Sequence, residues 1–254
     1  MSLESSIADL VRASTDLTQT VRGKTTEIDG KVTAKINEMD AWKAGHIDEH
    51  GFLAINYNAG MTRLSGTVPQ QLPLGMGVSA GGDFWSKFDV DIIPVRSGDL
   101  PESRPAVVRE LLKYMGMDRQ HFSANFNIIE LTVKRIDISS FVFFIPYRHV
   151  KMGSFHSVVM YHKIIGQGDW TWMDNSVKGK WNQMTSHHAS ADSAGAYVHV
   201  DVVLERPAIG DKLYLALPQI VIGKWNPLRR APQFFNVYDM ILDAVPTAIP
   251  RDYM

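Results

Sequence analysis

The apolar positions at the start of the chain form a narrow seam. Leu3, Ile7, Leu10, Leu17 and Val21 follow alternating steps of four and three, with Ser14 filling one gap. That is the a/d stripe of a heptad repeat. Charged and small residues take the other faces: Glu4, Asp9, Arg12, Asp16 and Arg22. The spacing then lengthens through Ile28, Val32, Ile36 and Met39, an eleven-residue step that relaxes a left-handed supercoil locally. Trp42 continues the seam. Gly23 and Gly30 flank the change, each lowering helix propensity by about 1 kcal/mol. The pattern predicts one long helix leaving at Ala44-Gly45, with Lys43 in the last turn where a cation suits the dipole. A seam of about two positions in seven is narrower than the face of a helix lying on a globular core. It predicts a helix held by copies of itself; the competing reading is a lone amphipathic helix packed on its own domain. β-branched and Leu positions are mixed, so the heptads leave the number of copies open.

After residue 50 the pattern changes period. All 12 prolines lie at Pro69 or later, and every aromatic except Trp42 follows residue 50. His46 to Glu49 reads as a polar hinge. Gly51 to Met61 reads as a first strand carried by Phe52 to Tyr57, Thr62 to Gly82 as loops with a short extended piece, and Phe84 to Val95 as an alternating strand ended by Pro94 and Ser97-Gly98. Ser103 to Met115 is the one good helix of this region. Ser103 caps it, Pro105 sits in its first turn, Val108, Leu111, Leu112 and Met115 face inward, and Gly116 stops it. Strands are expected over 127–138, 141–146, 155–165, 197–206, 212–217 and 219–225. Phe234 to Leu242 fits a terminal helix weakly. The fold class expected is mainly β with a long N-terminal α-helix, the body an antiparallel β-sandwich with one internal helix. Domains are expected at 1–45 and 46–254, with a further boundary near residue 120.

Composition narrows the chemistry. The formal net charge is -1, balanced across both parts, which does not suggest nucleic-acid binding. There is no cysteine, so no disulfide framework and no thiolate metal site. No apolar run of 18 residues and no signal peptide is seen, so no membrane insertion is expected and synthesis is expected in a cytosol.

Two stretches carry a resemblance. Leu10-Val11, Ala13, Leu17-Thr18, Val21, Lys24, Ile28-Asp29 and Lys31-Val32 match a phrase that recurs in the N-terminal coiled coils of tailed-bacteriophage tail-fibre proteins. The run Gly210 to Trp225, "GDKLYLALPQIVIGKW", is similar to the last strands of carbohydrate-binding-like β-sandwich domains in phage tail proteins. The first covers about a sixth of the chain; residues 46 to 200 have no such likeness. The resemblance implies a homotrimeric coiled-coil stalk on Leu3, Ile7, Leu10, Leu17, Val21, Ile28, Val32, Ile36 and Met39, and a jelly-roll-like body. It implies partners among other virion tail or baseplate proteins through the N-terminal helix, and a place in the virion tail after synthesis in the host cytoplasm.

The densest polar-aromatic stretch is Gly166 to His188, with three of the six tryptophans, Trp170, Trp172 and Trp181. Sugars stack their C–H faces on aromatic rings while carboxylate and amide groups fix the hydroxyls. Trp170, Trp172, Asp174, Asn175, Lys180 and Trp181 are therefore the candidate ligands for a host-surface glycan or lipopolysaccharide. The competing reading is that Trp170 and Trp172, two apart, share one strand face and are core. Metal readings are weak. His46 and His50 lack a Glu beside the first His, His187-His188 are adjacent, and His199 with Asp201 is an ordinary strand face. No nucleophile elbow, P-loop or dinucleotide fingerprint is present, and the Asp89/Asp91 spacing is commonplace in a strand. No cofactor, metal or catalysis is expected. The expected function is host-surface attachment by weak multivalent glycan binding as a tail-fibre component. The alternatives are a structural connector of baseplate, neck or fibre joint, and a surface-polysaccharide depolymerase.

Overall fold

The computed structural model describes residues 2–50, 53–78, 84–136, 142–145, 156–188 and 200–236. It divides into two compact units, Met1–Gly51 and Phe52–Met254.

The first unit is a single helix, α1 (Leu3–His50), which runs past the expected exit at Ala44-Gly45. Threonine hydroxyls that would compete with the helical backbone instead donate one turn back. Thr15, Thr18, Thr25 and Thr33 bond the carbonyls of Val11, Ser14, Val21 and Asp29 at 2.8–3.0 Å. Glu27 bridges Lys24 and Lys31, both at 2.7 Å. Such exposed pairs are screened by solvent and contribute little. The nine seam residues remain exposed, from 52% at Val32 to 78% at Leu3.

The second unit is a curled, mixed β-sheet half-barrel with one internal helix. Its strands are β1 (Leu53–Ala54), β2 (Leu64–Thr67), β3 (Gln70–Pro73), β4 (Gly77–Val78), β5 (Phe88–Val95), β6 (Phe126–Val133), β7 (Val142–Ile145), β8 (His156–Ile165), β9 (Asp169–Trp170), β10 (Trp181–His188), β11 (Val200–Glu205), β12 (Lys212–Ile222) and β13 (Phe235–Asn236). The helical pieces are a single turn, α2 (Phe84–Lys87), and α3 (Ala106–Met115). β12 is the central strand. It pairs antiparallel with β8 on one side, and with β6 and then β1 on the other. β10 and β5 extend the sheet, and β13 adds to β1 in parallel. A smaller sheet runs β4-β7-β11-β9, and β2-β3 is a hairpin.

Both faces of the main sheet are covered, which explains why β6 and β8 are buried almost throughout. One face carries Ile129, Leu131, Val158, Met160, Leu213 and Leu215, joined by Trp170 of β9 and Leu204 of β11. The other receives Val108, Leu111 and Leu112 of α3 against Ile128, Tyr161, Trp181 and Ala216. Further along that face, Trp225, Ala231 and Phe234 cover Val159 and Val221. The sequence alternation of β8 therefore marks two packed faces, not one wet face.

Several expectations are corrected. The segments 212–217 and 219–225 are one strand, kinked where Leu217 takes φ 48° and the register shifts between Ala216 and Gln219. Pro218 sits in this bulge, where no ladder N–H is demanded of it. Asn56 repairs the gap: Nδ2 donates to Pro218 O at 2.8 Å and Oδ1 accepts from Ile220 N at 2.7 Å. The first strand is only Leu53–Ala54, because the asparagines after it serve such side-chain bonds. Phe84 to Lys87 is a helical turn that seats Phe84 on Phe88, ring centroids 5.4 Å apart. α3 starts after Pro105; Ser103 Oγ instead donates back to Leu100 O. Gly116 does end the helix, at φ 74°. The helix expected over Phe234 to Leu242 begins instead as the strand β13; its remainder, the strand ends at Ile138, Phe141, Pro146, Phe155 and Tyr197, and His199 lie outside the described residues. So do the side chains of His46 and His50.

Asp211 joins two turns of the body. Its carboxylate accepts from Gln167 N at 3.0 Å and from Gly168 N and Ala208 N, both at 2.8 Å. The approach is so close that a Cβ on Gly166, at φ 107°, would stand 1.9 Å from Asp211 Oδ1.

Candidate functional site

Turn chemistry shapes the stretch from β9 to β10. Asn175 folds it on itself. Its Oδ1 accepts from Trp170 N at 2.8 Å, and its Nδ2 donates to Trp170 O and Met173 O at 2.9 and 3.2 Å. Asp174 makes an Asx-type turn, accepting from Ser176 N at 3.0 Å and Ser176 Oγ at 2.6 Å. Its second oxygen accepts from Asn182 Nδ2 at 3.1 Å, and Asn182 Oδ1 in turn accepts from Tyr114 Oη at 3.2 Å. The loop is thereby tied to α3.

Between α3 and this loop lies an open groove of about 690 Å³. Glu110, Lys113 and Tyr114 of α3 line it on one side, Asp174, Val177, Gly179, Lys180, Trp181 and Asn182 on the other, and Arg230 joins the lining. Gln183 places Arg230, since its Nε2 donates to Arg229 O at 3.0 Å and its Oε1 accepts from Ala231 N at 2.8 Å. The Arg230 guanidinium then lies 4.0 Å from the centroid of the Tyr114 ring. Tyr161 meets the same ring edge-on at 5.9 Å and donates to Ala231 O at 2.6 Å. Burial raises the Tyr161 pKa, so the phenol stays protonated. Glu110 is paired with the mostly buried Lys163. The Asp174 carboxyl lies below its usual range, chiefly through the Ser176 hydroxyl, with desolvation opposing and the Ser176 N–H and Asn182 amide adding to the lowering.

The six candidate glycan ligands separate. Asp174, Lys180 and Trp181 come together on the groove. Trp181 offers little ring face: it is 4% exposed and its Nε1 donates to Val107 O at 3.0 Å. Trp170 is a correction. It is fully buried beside Phe88, with no face open to a ligand, because β9 turns it under the sheet. Asn175 is also withdrawn, its amide taken up by its own turn. Trp172 is exposed, in a turn at φ 66°, away from the groove lining and not on Trp170's face. Sequence reasoning missed Tyr114, Lys113, Glu110 and Arg230, which lie far from the loop in the chain. The one signal available was the Arg229-Arg230 pair among turn residues.

The other candidates resolve structurally. Asp89 pairs with Lys134 at 2.9 Å. Ser157 Oγ lies 3.0 Å from His187 Nδ1, but it donates to Gly223 O and accepts from Trp225 N, so it links β8 to the segment after β12. Among the described residues no cluster of His, Asp and Glu is arranged to hold a metal. No helix there is long and apolar enough to cross a membrane.

His162 supports the groove from beneath. It is buried on β8, and its Nε2 accepts from Asp174 N at 3.3 Å, which puts the ring proton on Nδ1. Burial lowers its pKa from 6.5 to about 4, with the Asp174 carboxylate pulling weakly upward. Between those values the unfolded chain binds a proton that the folded chain refuses, so stability falls as pH drops from 6.5 towards 4. The expected loss is about 3 kcal/mol. Urea unfolding of His162→Gln across this window checks it: the variant should lose that part of the pH slope, and an unchanged slope assigns the acid sensitivity elsewhere.

Compared with known protein families, curated proteins and solved structures, the chain shows no match.

Proposed function

We propose that this chain is a bacteriophage tail-fibre component. Its helix forms a homotrimeric coiled-coil stalk, and its β body attaches to a host-surface glycan. The observation that carries the reading is the unburied seam of α1: nine apolar side chains in heptad-like order, each more than half exposed. Aliphatic residues in such a stripe are stabilised by a matching stripe, and at a narrow seam copies of the helix supply it. Among the described residues the next longest helix has 10 residues, too short to cover 48. At 1.5 Å per residue the stalk is about 70 Å long. The trimer number follows the likeness to tail-fibre coiled coils. For the body, packing of Trp170 and Leu204 of the smaller sheet against the main sheet supports the sandwich reading.

Three copies on one stalk turn weak sites into useful avidity, since the second and third contacts become intramolecular. The groove beside α3 is of a size that holds small ligands, and Glu110, Lys113, Asp174, Lys180 and Arg230 place charges around a largely apolar surface. Binding is favoured over cleavage. Glycoside hydrolysis needs two carboxyls free to act on the sugar, and here Glu110 is paired with Lys163 while Asp174 is bonded by Ser176 and Asn182.

Light scattering on the full chain beside a chain starting at Phe52 tests the proposal. The full chain should weigh three protomers and the shorter chain one. If both weigh one protomer, the helix finds its partners on other proteins, and a connector within a larger assembly replaces the fibre reading.

A further inference from the structure

The groove's charges are not balanced, and the imbalance has a sign. Both of its carboxylates are taken: Glu110 by Lys163, and Asp174 by Ser176 and Asn182. Its three exposed cations, Lys113, Lys180 and Arg230, have no carboxylate partner among the described residues. The aromatic surfaces are also engaged. Trp181 is buried, and Arg230 covers a face of Tyr114. Ring stacking, the usual means of holding a neutral sugar, is therefore little served here. A guanidinium seated 4.0 Å over a tyrosine ring is restrained by that contact while its N–H donors stay free of any carboxylate among the described residues. That is the preorganised fork that suits a carboxylate or a phosphate group. The lysines on the two walls add charge without needing fixed geometry.

Resting on the glycan reading above, we infer that the groove selects anionic saccharides, with Arg230 forking the sugar's carboxylate or phosphate and Lys113 and Lys180 flanking it. Asn182 and Asp174 hold the loop wall at its distance from α3 through Tyr114 Oη, so they are positioning residues.

Calorimetric titration of the full chain tests this with three probes: an oligogalacturonate, its fully methyl-esterified neutral form, and mannose 6-phosphate. The expected result is binding of at least one acidic probe, weakened by added salt and at least tenfold tighter than the neutral ester. Arg230→Gln should reduce it about tenfold, and Lys113→Gln with Lys180→Gln should reduce both the affinity and its salt dependence. These side chains are exposed, so the variants should fold as the parent does. Carboxylate and phosphate sources are told apart by which acidic probe binds. Equal binding of the oligogalacturonate and its ester overturns the anion selectivity and leaves a glycan site standing. Acidic binding untouched by all three substitutions moves the site off this groove. No binding of any probe overturns the glycan reading itself.

Discussion

Leu10→Asp combined with Leu17→Asp is expected to reduce the full chain to single protomers in solution. In one helix these positions are 70% and 65% exposed, so the carboxylates cost the isolated helix little. In a coiled coil the same positions are packed between helices. Each copy would then bring two ionised groups into an apolar seam with no partner charge, a cost of several kcal/mol per protomer. The body has its own core in a separate unit, so its thermal transition should not move. Sedimentation and a melting curve on the same sample check both halves. An oligomer that keeps its mass removes the seam as the assembly device, and a lowered body transition shows that α1 contributes to the stability of the second unit.

Trp170→Ala is expected to cost the body about 3–5 kcal/mol, the range for deleting a buried aromatic side chain. The ring is fully buried, its centroid 6.2 Å from that of Phe88, among Met160, Leu204 and Leu213. Its Nε1 finds no partner among the described residues, so a small part of the loss is regained when that donor is removed. Trp170→Phe removes the donor and keeps much of the packing, so it should cost clearly less. Trp172→Ala, at a position 48% exposed, should stay within about 0.5 kcal/mol. Urea denaturation of the three variants separates the roles of two tryptophans only two residues apart. If Trp170→Ala is as mild as Trp172→Ala, the ring does not support the core as described.

That pair of tryptophans shows where sequence reasoning ran out. An i, i+2 spacing implies a shared face only while the backbone stays extended. β9 ends at Trp170 and Trp172 has left-handed φ, so one ring turns in and the other out. The left-handed residue at Leu217 similarly joined two expected strands into one, because Asn56, over 160 positions away, satisfies the bulge. The helix at α3 was legible because its signals are local: an apolar face at helical spacing, proline at the start and glycine at the end. Only its start differs, at Pro105 and not Ser103, because the serine ends a 3-10 turn, Pro101–Ser103, and its hydroxyl donates back to Leu100 O.

The groove followed the same division. Asp174, Lys180 and Trp181 were readable as candidates because they crowd one stretch of loop. Their partners Tyr114 and Arg230 were not, since only the β8–β10 pairing and the Gln183 bonds bring α3 and residue 230 beside that loop. The sequence alone determined the long helix, its narrow apolar seam, and a β-rich body after residue 50, because each rests on a period repeated over many neighbouring residues. Which tryptophans are core, which strand is central, and which charges are left unpaired was decided only in the tertiary structure, because burial and ion pairing are set by residues far apart in the chain.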